Sequence, residues 1–103
     1  MIIIYSETTA VAESVEQNWL EFMKKSHIPA LMKTGLFLDF RFVRIPESEG
    51  VDRSYNLQLR CENTEKFNEF KSFHENKFKQ EVANKFQGNF GSFYSTLEQL
   101  IDG

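Results

Sequence analysis

Few residues in this chain of 103 have the type and spacing that chemistry needs. The two histidines, His27 and His74, form no His-x3-His pair and have no evident third ligand, so no metal site is expected. Cys61 is the one cysteine in the sequence, which excludes an intramolecular disulfide and a cysteine zinc cage. No P-loop, dinucleotide fingerprint, nucleophile elbow or paired-carboxylate motif occurs. The sequence therefore predicts no metal, no cofactor and no catalytic residue.

His27 stands beside a proline in WLEFMKKSHIPALMKTGLF, residues 19–37. Pro29 has no N–H and clashes with the carbonyl four residues before it, so a helix is expected to end near Ser26 or His27. A short turn should follow and be closed by Gly35. His27 then has one of two roles. It caps the carbonyls at the helix end, where the helix dipole favours a cation, or it faces a pocket and titrates near neutral pH.

Two charged residues interrupt an otherwise apolar strand face. In LFLDFRFVRI, residues 36–45, Asp39 and Arg41 are predicted to share one face of the strand with Phe37 and Val43. Charges on such a face are costly unless they are paired or solvated. We expect either an ion pair, across strands or across subunits, or an Arg41 that holds an anionic ligand through its planar guanidinium.

The periodicity of apolar residues predicts the elements that must position these side chains. Strands are predicted at residues 2–11, 36–45, 54–61 and 89–101, and helices at about 13–26 and 63–86. Asn63 or Thr64 should cap the second helix and Gly88 should end it, while Gly50 serves a hairpin turn. His74 falls on the apolar stripe of the second helix, where a core residue is expected. The order βαββαβ predicts an α+β, ferredoxin-like fold, with two helices on one face of a four-stranded antiparallel sheet.

The other face of that sheet has no helix to cover it. Phe37, Val43 and Ile45 are predicted to lie on this face of the second strand, opposite Leu38 and Phe40. A strand that is apolar on both faces is typically buried on both. The pattern therefore predicts a homodimer in which two sheets pack face to face.

Charge and composition exclude several classes of partner. Twelve basic and fifteen acidic residues give a net charge of −3, which argues against a nucleic-acid binder. Asn56 and Gln58 stand on the third strand, where an RNA-recognition domain places stacking aromatic residues. No apolar run approaches the roughly 20 residues that span a bilayer. The start of the chain also lacks the basic region of a signal peptide. We expect one cytoplasmic domain, residues 1–103, that binds neither nucleic acid nor membrane.

The chain resembles a family of small stand-alone bacterial proteins, known as a domain of unknown function, in the pattern Trp19-x3-Met23-x3-His27-Ile28-Pro29-x5-Gly35-x-Phe37. The resemblance continues through Tyr55 to Phe93-x2-Thr96-Leu97-Glu98. It implies a fold similar to the dimeric α/β-barrel group, in which two ferredoxin-like units pair their sheets. That group includes cofactor-free antibiotic-biosynthesis monooxygenases, haem-degrading enzymes and many proteins without known activity.

A candidate ligand pocket is expected between the first helix, the His-Ile-Pro turn and the sheet. Its predicted lining residues are Trp19 and Phe37 as apolar contacts, with His27, Arg41 and Tyr55 as polar ones. The leading hypothesis is a homodimer of uncharacterised function that binds a small, mostly apolar molecule with one polar or anionic group. One alternative is a cofactor-independent monooxygenase or isomerase that uses His27 as proton shuttle. Another is a structural or regulatory interaction module whose dimer leaves no cavity.

Overall fold

The predicted order of strands and helices is confirmed by the computed structural model, which describes residues 1–46 and 52–103. The elements are β1 (Ile3–Val11), a 3₁₀ turn (Glu13–Val15), α1 (Glu16–Phe22), a π-turn (Met23–His27), α2 (Ile28–Lys33), β2 (Asp39–Ile45), β3 (Arg53–Cys61), α3 (Thr64–Phe73), α4 (Glu75–Phe86) and β4 (Phe90–Glu98). The predicted hairpin glycine, Gly50, lies outside the described residues.

The four strands form one antiparallel sheet in the order β2-β3-β1-β4, which is the predicted ferredoxin-like arrangement. Tyr5 at the centre of the sheet lies opposite Leu59 of β3 and Thr96 of β4. Phe40 of the edge strand β2 lies opposite Leu59 on its other side. The helices cover Tyr5 and Leu59 on this face, whereas Phe40 on the edge strand is 48% exposed; we call the opposite face the outer face.

The core lies between the helices and the inner face of β1 and β3. Leu59 and Phe70 are each 1% exposed, and the Phe37 ring meets the Phe70 ring edge-on at 4.9 Å. The predicted stripe of the second helix is confirmed, since its apolar members are buried: Phe67, Phe70, Phe78, Val82 and Phe86. No helix in the described part of the chain combines the length and apolar character needed to cross a membrane.

The expected end of the first helix at Ser26 or His27 is wrong, because the helical path continues through a π-turn into α2. The Ile28 N–H reaches back five residues to the Met23 carbonyl. This wider turn places Pro29 in the first turn of the following α-helix. Proline is tolerated in the first turn of an α-helix, where its fixed φ matches the helical backbone. His27 therefore lies within the helical path and not at its end.

The predicted single helix over residues 63–86 is also wrong, because the structure contains two helices that meet at His74. His74 has φ −127° and ψ −35°, outside the helical region. Ser72, Phe73 and His74 are all weaker helix formers than Ala or Leu, which makes this stretch a natural place for a break. The two predicted helix ends are confirmed: the Asn63 side chain accepts a 2.9 Å bond from the Lys66 N–H, and Gly88 has φ +80°.

Phe37 was expected on the outer face, and this expectation is wrong. The second strand begins only at Asp39, so the chain before it is free to turn Phe37 toward the helices, where the side chain is 6% exposed. Val43 and Ile45 remain on the outer face as predicted and are 41% and 37% exposed. The outer face therefore keeps apolar side chains without help from Phe37.

Candidate functional site

Polar side chains gather on the helix side of the sheet, where β1 and β4 pass the start of α4. Tyr5 and Glu7 stand two residues apart on β1, and Tyr94 of β4 is directly opposite Glu7. Glu75 and Lys79 belong to the first turns of α4. We call these five residues the tyrosine–carboxylate cluster.

The cluster is joined by hydrogen bonds and ring contacts. The Tyr5 hydroxyl donates to Glu75 Oε2 at 2.6 Å, and the Tyr94 hydroxyl donates to Glu7 Oε2 at 3.0 Å. Lys79 Nζ lies 3.4 Å from Glu75 Oε2 and 4.0 Å from the centre of the Tyr94 ring. The rings of Tyr5 and Tyr94 stack with their centres 5.6 Å apart. Each carboxyl group is thus held by one phenol, and the two tyrosines link the pairs.

Burial changes the acidity of the groups in the cluster. It raises the pKa of Glu7, although hydrogen bonds from Tyr94 and Ser92 and the charge of Lys79 oppose part of this rise. The pKa of Tyr94 is raised by burial and by the Glu7 carboxylate. Burial and the hydrogen bond to Glu75 raise the pKa of Tyr5. Glu7 therefore retains its proton to a higher pH than an ordinary glutamate, which is a property of acid–base and ligand-binding sites.

A cavity of about 20 Å³ lies between the cluster and the helical path formed by α1, the π-turn and α2. Its walls combine the five cluster residues with His27 and with five apolar side chains: Leu31, Leu59, Phe70, Phe78 and Val82. This volume has room for about one water molecule. Tyr94 is 36% exposed and the Lys79 side chain 40% exposed, so these two residues form the side of the cavity nearest to solvent.

His27 is the one predicted site residue that lines this cavity. Its side chain is 4% exposed. The centre of its ring lies 5.5 Å from that of Phe22 and 5.6 Å from that of Phe78, and the His27 and Phe78 ring planes are at 88°. Burial among these rings lowers the pKa of His27 to about 4, because the charged imidazolium is poorly solvated there. The imidazole is therefore neutral at physiological pH, which removes the expected titration near neutrality.

The other predicted pocket residues lie elsewhere in the described structure. Trp19 and Tyr55 are in contact, with ring centres 5.1 Å apart, and the Tyr55 hydroxyl donates to Glu16. Phe37 packs in the core, and Arg41 projects from the outer face. The five residues therefore do not line a single cavity, and the only pair among them that the structure brings into ring contact is Trp19 with Tyr55.

An open depression of about 460 Å³ on the outer face surrounds Arg60. Asp39 accepts two hydrogen bonds from Arg60, at 2.7 and 2.5 Å, and these bonds lower the pKa of Asp39. Gln99 and Asp102 approach the same guanidinium at 3.3 and 3.7 Å. The expected ion pair of Asp39 thus forms across the β2–β3 pair with Arg60, while Arg41 lines the same depression.

One residue of the cluster has a signal in the sequence that is not a motif. Glu7 occupies an inward position on β1, on the same face of the strand as Ile3, Tyr5, Thr9 and Val11. A carboxylate on the core side of a strand is costly without partners, so its position alone marks a polar site. Tyr94 and Glu75 carry no such signal, because their approach to Glu7 and Tyr5 depends on the tertiary fold.

The family of the chain follows from a match over residues 2–100 to the domain of unknown function DUF4286. The chain belongs to this family. The resemblance inferred from the sequence, to a family of unknown function, is thereby confirmed. Among curated protein sequences none matches this DUF4286 chain.

Solved structures show the same fold at low sequence identity. A dimeric ferredoxin-like protein from an uncultured marine organism superposes with a TM-score of 0.75 at 16% identity, over 100% of both chains. The heme-degrader MhuD from Mycobacterium tuberculosis, with two hemes in its active site, superposes with a TM-score of 0.65 at 16% identity, over 98% of both chains. A monooxygenase from Streptomyces coelicolor in complex with Nanaomycin D gives 0.59 at 10% identity, over 98% of this chain and 91% of that one. At these identities the likeness shows the fold alone.

Proposed function

We propose that this DUF4286 protein is a homodimer in which each subunit binds a small, mostly apolar molecule, whose polar group is held by the tyrosine–carboxylate cluster. The observation that carries the proposal is the convergence of two phenols, two carboxyls and one ammonium beside a cavity whose other walls are His27 and five apolar side chains. Small-molecule sites are typically apolar with a few convergent polar groups. The hemes in MhuD and the Nanaomycin D in the Streptomyces protein support this reading, because both structures have the same fold.

The polar group of the ligand is neutral in this proposal. Glu7 and Glu75 both face the site, and an anion there would be repelled by either group whenever that group is ionised. Arg41, which sequence reasoning offered as the partner of an anion, lies on the other face of the sheet. A hydroxyl or carbonyl group fits the donors and acceptors that the cluster presents.

Entry of a ligand requires the site to open, because about 20 Å³ holds little more than one water. Lys79 lies over the Tyr94 ring on the side nearest to solvent. The Lys79 side chain is already 40% exposed, so its ammonium can move into water while Glu75, 14% exposed, keeps its hydrogen bond from Tyr5. Lys79→Ala should therefore tighten the binding of an apolar probe by removing the side chain that covers the entrance.

Phenol and toluene are a matched pair of probes for the site, since they differ by one hydroxyl group. In ¹H–¹⁵N NMR titrations, phenol should shift the backbone amide signals of Tyr5, Glu7, Glu75 and Tyr94 and bind more tightly than toluene. Tyr94→Phe should weaken phenol binding about fivefold, the equivalent of one hydrogen bond of about 1 kcal/mol. Tyr55→Phe is the matched control and should leave it unchanged. Shifts confined to amides far from the cluster would refute the proposal.

A second candidate function is a cofactor-independent isomerase or monooxygenase, and the raised pKa of Glu7 favours it. A positioned general base contributes about 10²–10⁴-fold to proton transfer, and a raised pKa makes Glu7 a stronger base than an ordinary glutamate. Here Glu7, rather than the neutral His27, would take the proton from an acidic O–H or C–H group. The test is to incubate quinol-type substrates with wild type and Glu7→Gln across pH. Equal rates in the two proteins would exclude this role.

The dimer in this proposal forms through the outer face. Val43, Phe93 and Leu97 on that face are 41%, 65% and 42% exposed, which is high for apolar side chains of this size. The marine ferredoxin-like protein of the same fold is dimeric, which supports the same assembly here. An interaction module would show the same dimer, but its cluster would bind neither probe.

We place the protein in the cytoplasm as part of the proposal. Cys61 is a buried, unpaired cysteine, and reduced thiols are typical of that compartment. Burial raises the pKa of the Cys61 thiol to about 11, so it stays protonated and unreactive.

A further inference from the structure

His27, one of the residues that line the cavity, has a ring nitrogen without a hydrogen-bond partner among the described residues. Nδ1 of His27 is buried and makes no hydrogen bond within residues 1–46 and 52–103. An unsatisfied buried polar group costs about 1–3 kcal/mol, so such atoms normally have a function or a bound water. The ring cannot relieve the cost by charging, because its neighbours Phe22 and Phe78 are apolar.

The π-turn explains why the histidine is held at this position. His27 is the last residue of the turn, and Pro29 follows two residues later in the first turn of α2. Short π segments inside α-helices are frequently found at functional sites. The unusual backbone thus supports the one side chain of this helical path that is both polar and buried.

The cavity offers what an oxygen atom next to His27 would need. Its volume of about 20 Å³ exceeds the minimum of roughly 10–15 Å³ that a cavity needs to hold one water. Across the cavity stand the titratable groups of the cluster, which are Tyr5, Glu7, Glu75, Lys79 and Tyr94. A buried water needs two to four polar partners, and this set supplies them.

We propose that His27 forms the inner end of the ligand site, where its Nδ1 hydrogen-bonds a single oxygen atom. That oxygen belongs to a water in the free protein and to a hydroxyl or carbonyl group of the bound molecule. The ligand class is therefore a small apolar molecule that enters with its oxygen first. The ligand half of this inference rests on the proposed function, whereas the water half does not.

The water half is tested by NMR cross-relaxation between water and the His27 ring protons. Wild type should show a long-lived water contact at the ring. The same water should also contact protons of the cluster residues in wild type. His27→Leu should lose this contact at the cluster, and His27→Gln should restore part of it, because glutamine keeps a polar end. His74→Leu is the matched control, since His74 lies outside the cavity wall, and it should retain the contact. A wild-type ring without a water contact, or a contact that persists in His27→Leu, would overturn the inference.

The ligand half is tested by titrating phenol and toluene into the same proteins. Phenol should remove the water contact in wild type. The affinity for phenol should be about tenfold lower in His27→Leu than in wild type, whereas toluene should bind no more weakly to His27→Leu than to wild type. Phenol that binds at the cluster but leaves the water in place would overturn this half. If neither probe shifts the cluster signals, the proposed function fails, and a water contact at His27 would still confirm the water half.

Discussion

Burial moves the pKa values of Glu7 and His27 in opposite directions, and this contrast defines the candidate site at the residue scale. The carboxyl group is favoured in its neutral, protonated form, and the imidazole in its neutral, deprotonated form. Both residues border one small cavity, and each is neutral over a pH range in which its exposed counterpart is charged. The pair therefore gives the free energy of unfolding two opposing dependences on pH.

Glu7 should reduce stability as the pH rises. Its folded pKa is above the ordinary value of 4.5, so the folded state holds the proton more tightly, and stability is lost as the pH rises through the folded pKa. Urea unfolding of Glu7→Gln should lack this loss and show a higher free energy of unfolding than wild type at pH 7. The exposed Glu69→Gln is the control. An advantage of Glu7→Gln that is equally large at pH 4 would contradict the raised pKa.

His27 should reduce stability as the pH falls. Its folded pKa of about 4 lies below the ordinary value of 6.5, so protons favour the unfolded state between these values. The shift corresponds to about 3 kcal/mol lost from pH 7 to pH 4. Chemical denaturation at both pH values should show this loss in wild type and His74→Leu but not in His27→Leu. Identical pH profiles for wild type and His27→Leu would exclude a buried neutral imidazole.

At the scale of elements, the helical path formed by α1, the π-turn and α2 accommodates Pro29 without ending. Pro29 does disfavour a regular helix, as its chemistry requires, and this much can be predicted from the sequence. The chain responds by widening one turn instead of ending the helix, because Met23, His27, Ile28 and Leu31 are then all buried. That response depends on what the segment packs against, so it cannot be derived from the proline alone.

The π-turn makes a prediction about Pro29 that differs from the rule for helix interiors. A proline at a compatible first-turn position stabilises through the unfolded chain by about 0.4–1 kcal/mol, whereas an interior proline costs about 3. Pro29→Ala should therefore lower the free energy of unfolding by about 0.5–1 kcal/mol in urea denaturation. A gain in stability of several kcal/mol would show that the proline is strained.

The cap of α3 gives a second test at this scale. Asn63 accepts a hydrogen bond from the Lys66 N–H at 2.9 Å, and loss of such a cap costs about 1 kcal/mol. Asn63→Ala should show this loss in thermal or chemical unfolding. Asn68→Ala, at an exposed position in the same helix, should change stability by less than about 0.5 kcal/mol. Equal effects of the two substitutions would refute the capping role.

At the scale of the whole molecule, the sequence predicts the fold well and the site poorly. Alternation along β3 and the apolar stripe of the second helix report which side of each element is buried, and these patterns are local. The cluster depends on β1, β4 and α4 meeting in three dimensions, so Tyr94 and Glu75 could not be recognised in advance. The expected pocket failed to gather for the same reason, since Arg41 and His27 lie on opposite faces of the sheet.

The proposed dimer predicts how outer-face and helix-side substitutions differ. Phe93→Glu places a charge on the outer face and should shift the mass measured by light scattering toward that of one chain. Phe73→Glu is a matched control, because Phe73 is 76% exposed but belongs to α3 on the other side of the sheet. It should leave the mass unchanged. A reversed pattern would place the interface on the helices.

Native mass spectrometry of freshly purified protein tests the central claim most directly, because it reports the assembly and any retained small molecule together. The proposed function predicts a species of two chains, each of 12.1 kDa, with added mass from a bound molecule. Glu7→Gln combined with Tyr94→Phe should keep the two-chain mass and lose the added mass. A single chain of 12.1 kDa without added mass, at micromolar concentration, would contradict both the dimer and the ligand site.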